Sequence, residues 1–389
     1  MRILMIAPEP FFQARGTPIS VLHRLRALSR LKLEVDLVTY HLGEDVHIEG
    51  VRVFRIPRIP LVRRIKVGPS YIKPFLDVLL WFKAFAMLSS DRYDIIHAHE
   101  EAAYFSVPLA AMFGVKLLYD MHSSLPQQLA NYQFANYGAV VKLFSYLEKR
   151  VVCRADSVIT ICPDLERHVG RLNGGNKQFL IENYAVEELP DSREHMAAEL
   201  RRNLRLEEKL VVAYTGTLER NQGLDLLIRG ATEVLAEFPE TVFLLVGGRP
   251  DQMETLQSLA AQQGVERHFL FLGSRPLGEI PVFLYIADVL VSPRSEGTNT
   301  PLKIYSYLAS GRPIVATDLQ THRQVLDDHT AALVPPTATG LAQGICALLR
   351  DSSLRERLGR RGQQLVEERY SYRSYLAKTR EVFDYLKAL

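Results

Sequence analysis

The 389-residue chain predicts an α/β protein of two doubly wound parallel-sheet domains facing each other across a cleft. Three observations carry that expectation. The length exceeds one typical domain. Short β-branched and aliphatic runs alternate with helical stretches along most of the sequence, the pattern of strand–crossover–strand units. The rhythm breaks once, at the polar stretch NYAVEELPDSREHMAAE, and then restarts. The expected organisation is a first domain over 1–182, a linker over 183–199 and a second domain over 200–371. An amphipathic helix closes the chain, with Tyr372, Leu376, Val382, Phe383 and Leu386 near one stripe.

Composition narrows the function classes. Hydrophobic residues make up 47% and charged residues 23%, as in an ordinary globular protein, and no tract is of low complexity. A net charge of +3 is too weak to imply nucleic acid. Cys153, Cys162 and Cys346 form no CxxC or Cys/His cluster, which argues for a reducing compartment without a disulfide framework or structural zinc. MRILMIAPEP reads as a first strand rather than a signal peptide. The longest apolar run, Phe75–Leu88, is interrupted by Asp77 and Lys83 and falls short of the roughly 20 residues of a membrane span. The expected location is the cytoplasm, with room for peripheral contact with a membrane.

In chain order, Arg2–Ala7 is strand one. Thr17-Pro18 starts a helix whose Val21, Leu22, Leu25 and Leu28 follow the helical period. Val35–Tyr40 is strand two, followed by a hairpin around Gly50 that pairs Val46–Ile48 with Val51–Ile56. Between Arg55 and Lys73, six cations alternate with apolar residues and prolines, and an apolar, aromatic helix follows. Such a segment over 55–85 fits an anionic membrane surface, and equally a substrate loop ahead of a core helix. Further strands are expected at Tyr93–Ala98, Lys116–Tyr119, Val158–Ile161 and Phe179–Ile181. The second half repeats the pattern at Leu210–Tyr214, Thr241–Val246, Phe269–Leu272, Val289–Val291, Pro313–Ala316 and Ala332–Val334.

The stretch VLVSPRSEGTNTPLKIYSYLASGRPIVATD (289–318) draws most attention. A buried strand leads into the loop Ser292–Thr300, and Thr300 and Pro301 are good N-cap and N1 residues for the helix that Gly311 ends. A loop entering a helix N-terminus aims backbone N–H groups and a positive dipole at an anion. Arg294 and Lys303 add positive charge, and Glu296 is free to accept from ligand hydroxyls. A routine βα turn with solvated charges has the same spacing. In Gly216–Gly223 a glycine follows the strand directly with Arg220 nearby, consistent with a backbone approach to phosphate or with an ordinary tight turn. With Arg220, Arg294 and Lys303 on strand-end loops of one domain, a diphosphate is the simplest shared partner.

Other constellations say less. His97 and His99 share a strand face, but no third ligand has clear spacing, so no metal site is expected. His122, two residues after Asp120, fits an uncharged partner for a substrate hydroxyl or a loop histidine without a ligand. GxSxG, a Walker A sequence and a GxGxxG after strand one are all missing, which lowers hydrolase, P-loop and dinucleotide readings.

Taken together, MRILMIAPEP…GTP, DIIHAH, YDMHSSLP, IENY, YTGTLERNQGLDLLI, LLVGG, FLFLGSRP, IADVLVSPRSEG and PLKIYSYLASGRPIVAT resemble glycosyltransferase family 4, of the GT-B fold, over essentially the whole chain. The resemblance implies two Rossmann-like domains with the active site between them and a last helix, about 372–389, crossing back to the first. It implies a retaining transferase that moves a hexose-type sugar from a nucleotide-diphosphate-sugar to a glycan or lipid-linked acceptor. No cofactor and no protein-bound metal are implied, the nucleotide-sugar being a co-substrate. Glu296 matches the first glutamate of the family's glutamate pair, at the donor sugar, and His122 the histidine near the transferred sugar. Gly16 matches the glycine loop facing the phosphates. The loop Gly297, Thr298, Asn299 and Thr300 would offer amides, with Thr217, Arg220, Arg294 and Lys303 around the diphosphate. Gly273, Ser274 and Arg275 fall where the base is held.

The sequence departs from the family at three positions. Ser306 stands where the second glutamate contacts the ribose, and Thr217 and Gln222 stand where an arginine and a lysine face the diphosphate. Two further readings share the architecture: a nucleotide-sugar epimerase, and a degenerate nucleotide-sugar-binding subunit of a glycosylation complex.

Overall fold

The computed structural model describes residues 1–13, 16–60, 62–63, 65, 72–131, 138–175, 177–185, 193–297 and 299–389. Thr298, part of the linker stretch, and Arg64, Lys66 and Tyr71 of the basic segment lie outside the described residues. The chain divides into two units: Met1–Asn183 with Arg373–Leu389, and Tyr184–Tyr372.

The first unit holds seven strands: β1 (Arg2–Ala7), β2 (Glu34–Thr39), β3 (Val51–Arg55), β4 (Ile95–His99), β5 (Lys116–Met121), β6 (Ser157–Thr160) and β7 (Gln178–Leu180). Their order is β3-β2-β1-β4-β5-β6-β7 and every pairing is parallel. Ile3 to Ala7 are fully buried because helices cover both faces, so strand one reads as a continuous apolar run rather than an alternation. Helices Lys73–Ser90, Ala102–Phe113, Gly138–Arg154 and Pro163–Asn173 cover one face around Leu4, Ile6, Ile96 and Tyr119. On the other face lie Gly16–Arg30 and Tyr372–Ala388, where Phe383 meets the His97 ring at 6.2 Å. In this last helix Tyr375 and Thr379 join Val382, Phe383 and Leu386 in the buried stripe, whereas Tyr372 is exposed.

The hairpin expected around Gly50 does not form. Residues 46–48 are not a strand, and Val51–Arg55 pairs with β2 in parallel. Asp36 explains the register: its carboxylate takes both Arg52 Nε and Nη2 at 2.7 Å, Arg2 Nη2 at 2.8 Å and the Tyr93 hydroxyl at 2.7 Å. One buried anion thus fixes three neighbouring strands.

The second unit has β8 (Leu210–Thr215), β9 (Thr241–Val246), β10 (Phe269–Gly273), β11 (Val289–Ser292), β12 (Ile314–Thr317) and β13 (Ala332–Val334), ordered β10-β9-β8-β11-β12-β13 and all parallel. The polar stretch expected as a linker runs into a helix, Arg193–Asn203. Ala197 is buried there with Phe283 and Leu284, and Arg201 donates to the Ile286 carbonyl at 2.8 Å and to Asp288 at 3.0 Å. Its polar sequence concealed a helix that packs Ala197 and Leu200 on the core and is tied by Arg201 to a neighbouring turn.

Among the described residues no helix is long and apolar enough to cross a membrane.

Helices Leu224–Glu237 and Ala338–Arg350 lie in unusually close contact because Gly230 has no side chain; a Cβ there would stand 2.5 Å from the Ala338 carbonyl oxygen. Gly230→Ala should therefore destabilise the fold by about 1–3 kcal/mol through overpacking, despite alanine's better helix propensity. Urea denaturation measures this directly, and an unchanged or raised midpoint would contradict the packing argument.

Candidate functional site

Parallel strands point their C-terminal ends one way, and the loops that follow them gather there. In the second unit four such loops touch through backbone. Gly247, after β9, approaches Gly216, after β8, so closely that a Cβ would lie 2.0 Å from the Gly216 carbonyl oxygen. Gly247 also donates to the carbonyl of Gly273, the last residue of β10, at 2.7 Å. Gly223 sits on the Pro293 carbonyl, 1.9 Å from where its Cβ would be, and Ser295 N donates to Asn221 O at 3.1 Å. Gly216, Gly223 and Gly247 all have positive φ, so backbone conformation disfavours a side chain at each, and at Gly223 and Gly247 a neighbouring carbonyl excludes one by space as well.

Lys303 stands over this floor. Its ammonium lies 3.7 Å from the centroid of the Tyr214 ring and donates to Gln222 Oε1 at 2.9 Å. The Tyr214 hydroxyl bonds the Thr217 carbonyl at 2.6 Å and Gln222 Oε1 at 3.2 Å. Burial first, and then Arg294, hold the Lys303 amine well below its ordinary pKa. The helix carrying it is tied back to β8 by the Tyr307 hydroxyl, which accepts from Thr215 N at 2.8 Å.

The helix begins at Lys303, not at Pro301, and Thr300 does not cap it: the flanking residue is Leu302, without a side-chain cap. The Ile304 and Tyr305 amides donate to the Pro301 and Leu302 carbonyls, an added tight turn that sequence signals did not reveal. Thr300 is buried instead, and its hydroxyl has no partner among the described residues.

Arg294 also differs from expectation. Its guanidinium runs beneath the loop, Nε to the Glu296 carbonyl and Nη1 to the Asn299 carbonyl at 3.0 Å, and would lie 2.0 Å from a Cβ at Gly297. It braces the loop from within. Glu296 and Gly297 are exposed on the outside of that brace, and Asn299 is half-buried. Below it, the wholly buried His322 accepts from the Ser292 hydroxyl at 2.9 Å and donates through Nδ1 to the Thr317 carbonyl at 2.7 Å, while Thr317 Oγ1 donates to the Arg294 carbonyl at 2.6 Å. Burial is the main reason its pKa falls to about 4, so it is neutral. Sequence reasoning missed His322, which lies beyond the loop it supports.

The remaining expected residues sort as follows. Ser306 is half-buried one turn after Lys303 on the same side of the helix. Arg220 is exposed on a short 3₁₀ turn. Gly273 has φ +67°, Ser274 donates to the Gly248 carbonyl at 3.2 Å, and Arg275 is exposed. Thus Thr217, Arg294, Gly297, Lys303, Gly273 and Ser274 belong to one connected group of loops. Gly16 and His122 belong to the first unit.

There, Gly16 opens its helix at φ +44° with open space where a Cβ would be. His122 joins a buried network. Asp120 takes Arg24 Nε at 2.9 Å and His97 Nε2 at 3.1 Å, and His99 Nδ1 lies 3.0 Å from His122 Nε2. Burial lowers the His122 pKa to about 4 against the pull of Asp120. Burial pushes Asp120 up, but Arg24 and then the histidines outweigh it and hold the carboxyl well below the usual range. His97, His99 and Asp120 offer ligand atoms within 4.8 Å of one another. With the Arg24 cation already on Asp120, this donor set reads as an internal ion-pair network rather than a cation site. Just after β4, burial and Glu101 raise Glu100 to about 8, and in the helix Lys73–Ser90 burial and Glu101 raise Asp77 to about 7. Ser123 donates to Glu100 at 2.9 Å and Lys73 to Glu101 at 3.2 Å.

Buried neutral histidines make stability depend on pH with a definite sign. His122 and His322 have folded pKa values lowered from 6.5 to about 4, so the unfolded chain binds the additional protons. Stability should fall as pH drops from about 6.5 towards 4, by up to about 1.4 kcal/mol per pH unit for each such histidine. Denaturant titrations across this window should show the decline, and His322→Gln should lessen its slope; an equal slope in the variant would contradict the assignment.

Comparison with known proteins follows the same division of the chain. A family described as "Glycosyl transferase 4-like domain" matches residues 15–183, and one described as "Glycosyl transferases group 1" matches 209–351. Among curated proteins, the chain is 23% identical over 390 residues to alpha-D-kanosaminyltransferase of Streptomyces kanamyceticus, covering 95% of this chain and 96% of that protein. It is 25% identical over 403 residues to phosphatidyl-myo-inositol mannosyltransferase of Mycobacterium tuberculosis, covering 99% and 97%. Among solved structures it is similar to sucrose-phosphate synthase from Thermosynechococcus elongatus, with TM-score 0.80, 22% identity and coverage of 100% and 99%. It is likewise similar to Anabaena HepE in complex with UDP and glucose, with TM-score 0.77, 17% identity and 100% of both chains. The chain therefore belongs to the glycosyl transferase 4-like and group 1 families, and is a glycosyltransferase of the GT-B superfamily.

Proposed function

We propose that this enzyme transfers a hexose-type sugar from a nucleotide-diphosphate-sugar to a glycan or lipid-linked acceptor, with retention and without a protein-bound metal. The observation that carries the donor reading is the glycine floor of the second unit with Lys303 above it. Within that floor Gly216 is exposed, with Lys303 Nζ 3.1 Å from where its Cβ would be, so its backbone is open to a close approach by phosphate beside an amine placed by an aromatic ring and an amide rather than by a carboxylate. HepE, of similar fold, has been solved with UDP, with UDP and glucose, and with UDP-glucose, which supports a uridine or related nucleotide on the same loops here.

Cleavage of the sugar–phosphate bond builds negative charge on the departing diphosphate. Lys303 and the amides around Gly297 meet that charge in a preorganised setting. Arg294 acts indirectly, by fixing the shape of the loop. Exposed Glu296 accepts from hydroxyls of the donor sugar, Ser306 from the ribose, and neutral His122 serves as a hydrogen-bond partner for the transferred sugar. Gly273, Ser274 and Arg275 border the base. Retention and metal independence rest on the family resemblance together with this source of positive potential, and the anomeric configuration of the product, read by NMR, tests retention.

Two experiments test the site. Glu296→Ala and Lys303→Ala should each lower turnover by roughly 10²-fold while leaving the folded state intact, in keeping with loss of one transition-state contact; wild-type rates in both would remove these residues from the mechanism. Because burial lowers the Lys303 pKa in the free enzyme, a bound diphosphate should raise it, so that nucleotide binding takes up protons in the pH window between the two values. Calorimetry of nucleoside diphosphate binding in buffers of different ionisation enthalpy reads that uptake. Lys303→Met should abolish it; uptake equal to wild type would show that another group is responsible.

A further inference from the structure

Three helices of the first unit lie side by side on one face of its sheet. Phe85 of Lys73–Ser90 packs edge-on against Phe113 of Ala102–Phe113 at 5.6 Å, and Tyr104 of that helix meets Phe144 of Gly138–Arg154 at 5.9 Å. Their inner faces are core. Their outer faces are not uniformly polar, as those of an ordinary surface helix would be. Phe75, Val78 and Phe82 follow one stripe of the first helix, 55%, 52% and 58% exposed; Met112 is 65% exposed on the second, and Leu143 and Tyr146 are 54% and 62% exposed on the third. Of the ten large hydrophobic residues exposed among the described residues, seven lie on these three helices, so the apolar surface is concentrated rather than scattered.

Charge selects the partner. Helix Gly138–Arg154 exposes Lys142, Lys149, Arg150 and Arg154, while its one acid, Glu148, is buried on Ser124 and His168. Helix Ala102–Phe113 has no charged residue at all. On the first helix Asp77 is turned inward to the Tyr40 hydroxyl, and Arg58 and Arg63 are exposed in the segment before it. Exposed apolar side chains thus alternate with cations, and the acids of these helices face the interior. A second copy of the chain meeting this face about a two-fold axis would set like charges together. An anionic lipid surface complements both features, taking the aromatic and aliphatic side chains into the headgroup boundary and the cations onto phosphate.

We infer that the outer face of these three helices docks on an anionic lipid bilayer, which goes beyond the transferase reading and does not depend on it. The test is flotation with vesicles of equimolar phosphatidylglycerol and phosphatidylcholine, against vesicles of phosphatidylcholine alone. The protein should float with the anionic vesicles at low salt, and binding should fall at least tenfold with neutral vesicles or at about 1 M salt, where the Debye length is about 3 Å. Phe75→Ser/Phe82→Ser should abolish flotation with an unchanged melting transition. Lys142→Glu/Arg150→Glu should weaken it at least tenfold, more than the roughly fivefold expected for each cation removed. Arg360→Glu/Arg361→Glu, in the second unit, should leave it unchanged. Failure to float at low salt, or equal flotation by the first two variants, would overturn the inference. So would a concentration-dependent dimer that the Phe75→Ser/Phe82→Ser pair dissolves, since this would assign the face to self-association.

Discussion

The close approach of one backbone to another at the strand ends of the second unit is the constraint on which its site depends. Gly223 on the Pro293 carbonyl and Gly247 on the Gly216 carbonyl let three loops touch carbonyl to α-carbon, leaving no room for side chains at those two positions. The contact brings Lys303 within reach of Gln222 and Tyr214. It also places the β11 loop where Arg294 can brace it and His322 can support it. A side chain at Gly223 or Gly247 would push apart several functional groups at once, because the loops share one contact surface.

Much of this was legible in the sequence. Strand runs such as Val289–Val291, and glycine directly after a strand at Gly216, placed the loops, and Gly311 ended the helix as its position implied. What stayed hidden has physical causes. The Thr300-Pro301 pair has the chemistry of a helix start, but a tight turn at Pro301–Leu302 delays the helix to Lys303. Arg294 looked like a ligand cation because sequence cannot show that its guanidinium turns inward to carbonyls of its own loop. The β3 pairing depended on Asp36 meeting Arg52, a contact between strands that local turn signals cannot report. His322 and Arg24 work through partners distant in the chain, so no local pattern marks them.

Gln222 shows how a departure from a family pattern can be read as structure. Where the resemblance calls for a lysine, Gln222 offers its amide oxygen to Lys303 and to the Tyr214 hydroxyl. The one amine at this spot is therefore supplied from the helix rather than from the glycine loop. The amide positions that amine without adding a further cation to the repulsion that Arg294 already exerts.

The last helix has a consequence for the order in which the protein is made. Thr379 hydrogen-bonds Arg24 across 355 positions, and Lys116 reaches the Leu386 carbonyl across 270. Everything needed for the second unit lies within Tyr184–Tyr372, whereas the first unit is split around it. On a ribosome, the unit begun first is thus the unit finished last. Until the final helix emerges, the face of the sheet bearing His97 has only the helix Gly16–Arg30 as cover, and the nascent chain carries a partly open face throughout synthesis of its second half.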